Sequence, residues 1–275
     1  MLRDYRGKTV YVVGGSQGIG RACAEAFAER GADVVVFARR EGPLRDAIEG
    51  ISGRRTDAAQ GVFGVVLDAS DGDQVEPVMA KALTDYGPPD VLLNCAGAAS
   101  PARFEDIDRD SMLQTLRSNW LSCWYPAKAL VPVMKGRGGV IVNTSSVAGR
   151  IGVFGYTDYS AAKFAVVGFS EALRSELAPH GVAVFVLCPP DTDTPGYAAE
   201  EVAKPEETRA VSGGASLLSS AEVASELLRG LSGRGFLIVP GRAARWVVRA
   251  QRFAPGLVRW FTDRAVAKAQ RSSPR

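Results

Sequence analysis

Residues 9–20 read TVYVVGGSQGIG. A run of β-branched and apolar residues gives way abruptly to a glycine-rich stretch. Such an unbroken run suits a strand buried on both faces, as strands of parallel sheets are. Gly14, Gly18 and Gly20 then fall at the spacing GxxxGxG, where the strand pattern stops and a helical pattern over about 18–30 begins. Glycines let a backbone approach a ligand closely, and a helix N-terminus offers free N–H groups and a partial positive charge. Strand, glycine turn and helix in that order predict a pyrophosphate cradle built from Gly14, Ser16, Gln17, Gly18, Ile19 and Gly20.

The same alternation continues outward. Strand patterns are read at 8–14, 33–38, 62–68, 90–94, 139–145, 181–187 and 235–239. Helical patterns are read at about 71–86, 109–135, 157–178 and 220–231. Strands alternating with helices imply a parallel sheet covered on both faces, with right-handed crossovers. The expected fold is therefore α/β, a doubly wound parallel sheet of the Rossmann type. It forms one domain over 1–240, with a basic amphipathic extension over 241–275.

Composition agrees with a globular protein: 46% of residues are hydrophobic and 23% charged. Disorder is expected only at the C-terminal AQRSSPR. No apolar run is long enough to span a bilayer, and no secretory leader pattern opens the chain, so a cytoplasmic protein is expected. Cys23, Cys95, Cys123 and Cys188 are widely spaced without a CxxC pair, which reads as reduced thiols. With a single histidine, His180, near a helix end, no metal site is expected. The net charge of +3 hides an asymmetry. Residues 242–275 carry nine basic residues and one acid, Asp263, while the rest of the chain is mildly acidic.

The second strand ends in FARR, 37–40. A dinucleotide with a free ribose 2′-hydroxyl favours an acid here, whereas Arg39 and Arg40 match a 2′-phosphate in charge and geometry. NADPH is therefore expected over NADH; a solvated arginine pair is the other reading. Tyr159 and Lys163 lie four apart in YSAAK, on one face of a helix. A phenol with a pKa near 10 is a poor acid at neutral pH. An ammonium about 4 Å away, at an effective dielectric of about 20, favours phenolate by roughly 4 kcal/mol, or about three pKa units. Taken alone, the pair is better read as a core tyrosine beside a snorkelling lysine. It gains weight from Ser146, at a strand end in NTSSVAG, and from Asn119 in RSNWLS.

On GGSQGIG, Asp68, NCAG at 94–97, Asn119, Ser146, Tyr159 and Lys163, in order over about residues 7–240, the chain resembles the classical short-chain dehydrogenase/reductase family. The resemblance implies that Tyr159 donates a proton to a carbonyl and that Ser146 hydrogen-bonds the same oxygen. It implies that Lys163 holds the nicotinamide ribose and lowers the tyrosine pKa, and that Asn119 holds a water relaying protons to Lys163. Asp68, Asn94, Ala96 and Gly97 would border the cofactor, together with Tyr159, Lys163 and Pro189. Thr194, or else Thr192, would donate to the nicotinamide carboxamide. The chain departs from the family pattern at Val13 (usually Thr), Cys95 (usually Asn) and Pro190 (usually Gly).

The loop after the sixth strand, CPPDTDTPG at 188–196, is distinctive. Two adjacent prolines stop a strand and hold an extended path outside the sheet. Its PPDTDTPG, with FGYTDYSAAKFAVVGFSEAL (154–173) and KPEETR (204–209), resembles a narrower group, the 3-ketodihydrosphingosine reductases. That resemblance implies NADPH-dependent reduction of 3-oxosphinganine, a long-chain amino ketone. The alternatives are a reductase of another lipid or 3-oxoacyl substrate, and a non-catalytic nucleotide-binding regulator. Asp191 and Asp193 either select the substrate ammonium or cap the loop and the following helix. Residues 196–218, with their Gly213–Gly214 pair, lie where the family carries a substrate lid. The resemblance also implies a homo-oligomer joined through the helices at 109–135 and 157–178.

The extension interleaves Trp246, Phe253, Trp260 and Phe261 with arginines, and Pro255 must break its helical pattern. Residues 242–271 suit either a membrane interface or packing on protein. No nucleic-acid motif accompanies the charge, so no nucleic-acid partner is expected.

Overall fold

The computed structural model describes residues 4–212, 217–233 and 235–272. At its centre β1 (Thr9–Val13) lies between β2 (Asp33–Ala38) and β4 (Val91–Asn94). Beyond β2 comes β3 (Val62–Val66); beyond β4 come β5 (Gly139–Thr144), β6 (Val182–Leu187) and β9 (Leu237–Ile238). All seven strands are parallel, in the order β3-β2-β1-β4-β5-β6-β9. The strand order reverses direction at the β1–β4 junction, and in open α/β sheets that is where a ligand crevice forms.

Alternation along β1 divides the core. Val10 and Val12 face α1 (Gly18–Ala28), α2 (Glu41–Ser52) and α9 (Ser220–Leu231), meeting Ala24, Phe27, Leu44 and Leu227. Tyr11 and Val13 face the other layer, α3 (Gly72–Tyr86), α5 (Ser122–Lys135) and α6 (Thr157–Leu177), meeting Met79 and Leu130. Register aligns Val13 with Asn94, and Asn94 with Asn143. Asn94 Nδ2 donates to Asn143 Oδ1 at 2.8 Å, and Asn143 Nδ2 donates to Ser170 Oγ at 2.9 Å. This buried polar ladder ties the ends of β4 and β5 to α6, fixing the helix that carries Tyr159 and Lys163.

Several elements differ from the sequence expectation. The helix Glu41–Ser52 was not anticipated: Gly42, Pro43 and Gly50 dilute its signal, although Leu44, Ala47 and Ile51 are buried at helical spacing. The helix expected over 109–135 is α4 (Arg109–Leu116), then a π-helical turn at Arg117–Leu121, then α5. The segment expected as a lid follows a short strand, β7 (Thr192–Asp193), and forms α7 (Pro195–Ala203) and α8 (Glu206–Ser212). It ends in β8 (Leu218–Ser219), which pairs with β7. Gly213 and Gly214 lie outside the described residues. The extension forms α10 (Arg242–Phe253) and α11 (Pro255–Ser272), separated where Pro255 was expected to break it. Arg245 pairs with Glu226 of α9 at 3.1 Å, and α11 packs on α8 and α10. Cys23, Cys123 and Cys188 are buried, Cys95 is half-buried, and none forms a disulfide.

Candidate active site

The GGSQGIG turn leaves β1 at the crevice. Gly14 has a φ of +78°, and a Cβ there would stand 2.5 Å from the Ala96 nitrogen. Only glycine lets the turn lie so close to the NCAG turn after β4. Ser16 is half-buried in the turn, and Gln17 precedes α1, whose first residues are Gly18, Ile19 and Gly20. No side chain caps α1 and no acid lies in its first turn. Its N–H groups and positive dipole end are therefore left to an anion. Gln17 instead accepts from Arg40 Nη2 at 2.7 Å.

Arg39 and Arg40 follow β2, both exposed beside this turn. Arg39 Nη1 lies 3.7 Å from Asp68 Oδ2, while Asp68 Oδ1 accepts from the Ser70 amide and hydroxyl at 2.9 and 2.7 Å. Burial acts to raise the Asp68 carboxyl, but the Ser70 and Arg39 contacts outweigh it and hold it below its ordinary value.

Ser146, Tyr159, Lys163 and Asn119 converge at the ends of β4 and β5. Ser146 follows β5, its Oγ accepting from the Ala148 amide at 3.1 Å, and it lies close enough to Tyr159 to favour the phenolate. Lys163 is buried, with Nζ donating to Thr144 O at 3.0 Å. Asn119 sits in the π-helical turn, donating from Nδ2 to Ala98 O (2.7 Å) and Thr115 O (2.9 Å). Its buried Oδ1 has no partner among the described residues. Gly97 brings these groups together: a Cβ there would stand 2.5 Å from Asn119 Oδ1 and 3.1 Å from Lys163 Nζ.

The Lys163 ammonium lies 5.6 Å from the centre of the Tyr159 ring. Burial opposes the charged form of both partners. It pushes the Tyr159 phenol above its ordinary value, with Glu200 and Asp191 adding to the rise and Ser146 opposing it. It also pulls the Lys163 ammonium down.

The CPPDTDTPG loop passes over the same edge. Pro189 O accepts from the Val147 amide at 3.0 Å, fixing the loop to the Ser146 segment. Thr192 is buried and donates its hydroxyl proton to Pro190 O at 2.8 Å. Thr194 caps α7, its Oγ accepting from the Tyr197 amide at 3.0 Å, so its own proton stays available. Its methyl group is what a Cβ on Gly18 would meet, at 2.9 Å. The loop threonine and the glycine turn therefore border one crevice. Thr194, not either aspartate, caps the helix: Asp193 is exposed, and Asp191 Oδ2 lies 3.6 Å from Lys204 Nζ.

Sequence reasoning missed a cluster beside Tyr159. Tyr156, whose ring centre is 5.6 Å from that of Tyr159, donates from its hydroxyl to Glu200. Glu200 lies 3.7 Å from Lys204 Nζ, which also bonds Glu201 and sits 4.3 Å over the Tyr197 ring. The Lys204 side chain is fully buried. The available signals were the i, i+3 spacing of Tyr156 and Tyr159 and the i, i+4 spacing of Glu200 and Lys204.

The chain matches the short chain dehydrogenase family over residues 8–204, well over half its length, and it belongs to that family of oxidoreductases. Among named relatives it is similar to the 3-ketodihydrosphingosine reductase of Bos taurus, 40% identical over 225 residues that cover 81% of this chain and 68% of that one. Among solved structures it resembles a short chain dehydrogenase/reductase from Burkholderia phymatum in complex with NAD. There the identity is 26%, the TM-score 0.80 and the coverage 93% and 96% of the two chains. It also resembles an alcohol dehydrogenase from the archaeon Thermococcus sibiricus complexed with 5-hydroxy-NADP, at 26% identity, a TM-score of 0.72 and coverage of 84% and 95%.

Proposed function

We propose that the protein is an NADPH-dependent reductase of a long-chain ketone, with 3-oxosphinganine as substrate. The observation that carries the reading is the convergence of Ser146, Tyr159, Lys163 and Asn119 beside the uncapped α1 N-terminus. The nicotinamide cofactor supplies a hydride when bound. The residues present fit it: the α1 amides suit its pyrophosphate, and Arg39 and Arg40 suit a 2′-phosphate. Asp68, Asn94, Ala96 and Gly97 would border the cofactor, and Lys163 would hold the nicotinamide ribose. Pro189 shapes the loop, from which Thr194 would offer its free hydroxyl proton to the carboxamide. The Thr192 proton is already engaged with Pro190 O.

At the carbonyl, Ser146 donates a hydrogen bond to the oxygen and Tyr159 gives up its phenolic proton to it. The lost proton returns through Lys163 from the Asn119 side, where the unpartnered Oδ1 lies. Keeping Tyr159 a phenol until it is needed suits a proton donor, which burial favours.

The chain works as a catalytic unit over 1–240 with an arm over 241–275 that is helical at Arg242–Phe253 and Pro255–Ser272. No helix among the described residues is long and apolar enough to cross a membrane. The arm makes peripheral contact with lipid: Trp246, Phe253, Leu257, Trp260 and Phe261 are exposed on a helical pair rich in arginine. A homo-oligomer forms through the outer faces of 109–135 and 157–178, where Phe164 is exposed.

The test is NADPH oxidation by the purified protein with 3-oxosphinganine, beside a 3-oxoacyl thioester, in wild type and Tyr159→Phe. Turnover selective for the amino ketone and lost in the variant is expected. Turnover on the thioester alone overturns the substrate and keeps the chemistry. NADPH binding without turnover on any carbonyl would favour the nucleotide-binding regulator.

A further inference from the structure

A groove of about 440 Å³ opens between α11, α8 and the 152–157 segment that leads into α6. We propose that it holds the hydrocarbon chain of the ligand whose polar end lies at Tyr159, so that the C-terminal arm is one wall of the substrate site. The inference rests on the reductase reading above and deepens it.

Three observations carry it. The first is continuity. Tyr156 lines the groove, and its ring centre lies 5.6 Å from that of Tyr159. The inner end is thus one aromatic ring away from the phenol. The second is the chemistry of the walls. Val153, Phe154, Val211 and Val266 are apolar. Thr262 spends its hydroxyl on Val258 O and Arg259 O within its own helix, at 3.2 and 2.8 Å. Thr157 and Asp263 are exposed and belong to the rim. Ser160 is a buried wall residue whose hydroxyl has no partner among the described residues. A buried hydroxyl left unpaired is costly, and a ligand group there would satisfy it.

The third observation is size. Helices and loops normally close on one another without gaps, because an unfilled apolar space forfeits dispersion contacts. At about 30 Å³ for each water-sized group, the groove takes about fifteen such groups, the scale of a long alkyl chain. Val266 and Thr262 come from α11, so the arm sets the groove's depth.

The test is binding of saturated secondary alcohols, from about four to about sixteen carbons, to the full-length NADP-saturated protein by calorimetry. Affinity is expected to rise about three- to fourfold per methylene until the groove is full. In Val266→Trp, and independently in Val211→Trp on α8, the rise stops several carbons earlier. Thermal unfolding establishes that each variant is folded. A flat profile in wild type overturns the proposal, as does the same climb in wild type and in a folded variant. A flat profile together with self-association would assign the groove to a second copy of the chain. Binding is read without turnover, so the two readings can fail separately. Long alcohols that bind to a protein reducing no ketone leave the groove standing and overturn the reductase.

Discussion

Replacing Arg39 and Arg40 together by alanine will weaken NADPH binding by about two orders of magnitude and leave NADH binding nearly unchanged. A hydrogen bond to a charged group contributes about 1.5–3 kcal/mol. Arg40 belongs toward the middle of that range, because its guanidinium is already oriented by Gln17 at 2.7 Å. Arg39 belongs at the low end or below it: its side chain is 58% exposed and shares its charge with Asp68 at 3.7 Å. The two sum to about 3 kcal/mol, which is about a hundredfold in affinity. Titration of both cofactors by calorimetry at one fixed ionic strength checks this, since exposed charges are screened by salt. Losing Arg39 also releases Asp68 from its ion pair, so NADH affinity holds or rises slightly. Equal weakening for the two cofactors, or none for NADPH, would refute the assignment of these arginines to a 2′-phosphate.

Tyr159→Phe removes the proposed proton donor and should lower kcat by about 10²–10⁴-fold while NADPH affinity is kept; a parallel loss of both would point to a structural role. Gly97→Ala sets a methyl group against Asn119 Oδ1 and Lys163 Nζ, so turnover should fall by at least about tenfold with a smaller drop in Tm, measured side by side. Asp68 has a depressed folded pKa. The stability it contributes is therefore present above its unfolded value of about 3.9 and lost as pH falls through the lower folded value. Asp68→Asn should destabilise at neutral pH and matter less near about pH 3, as read from urea midpoints at the two pH values.

The sheet was legible because its strands announce themselves twice, by unbroken β-branched runs and by the turns that end them. A run such as DVVVFA at 33–38 leaves little room for a helical alternative, and the glycine turn fixes which strand stands at the centre. The helix Glu41–Ser52 was not legible, because its apolar stripe is only Leu44, Ala47 and Ile51 among glycines and a proline. The π-helical turn at Arg117–Leu121 also escaped, since backbone pairing one residue out of step leaves no mark on side-chain spacing. Tyr159 and Lys163 were paired correctly on one face of a helix, but spacing could not supply the burial that opposes their charges. Tyr156, Glu200 and Lys204 were missed because their meeting depends on how α7 folds back over the 152–157 segment, a tertiary fact absent from any local pattern.

Lys204 has a consequence for how its segment moves. One buried ammonium joins Asp191, at the start of the segment that borders the crevice, to Glu200 and Glu201 near the end of α7. The chain between them is a ring closed by charge, as a disulfide would close it by a covalent bond. A ring of this kind does not fray from one end; it swings as a unit or must first give up its cation to water. Moving that segment then carries an electrostatic barrier of its own, and because the cation is buried, salt in the medium does little to lower it.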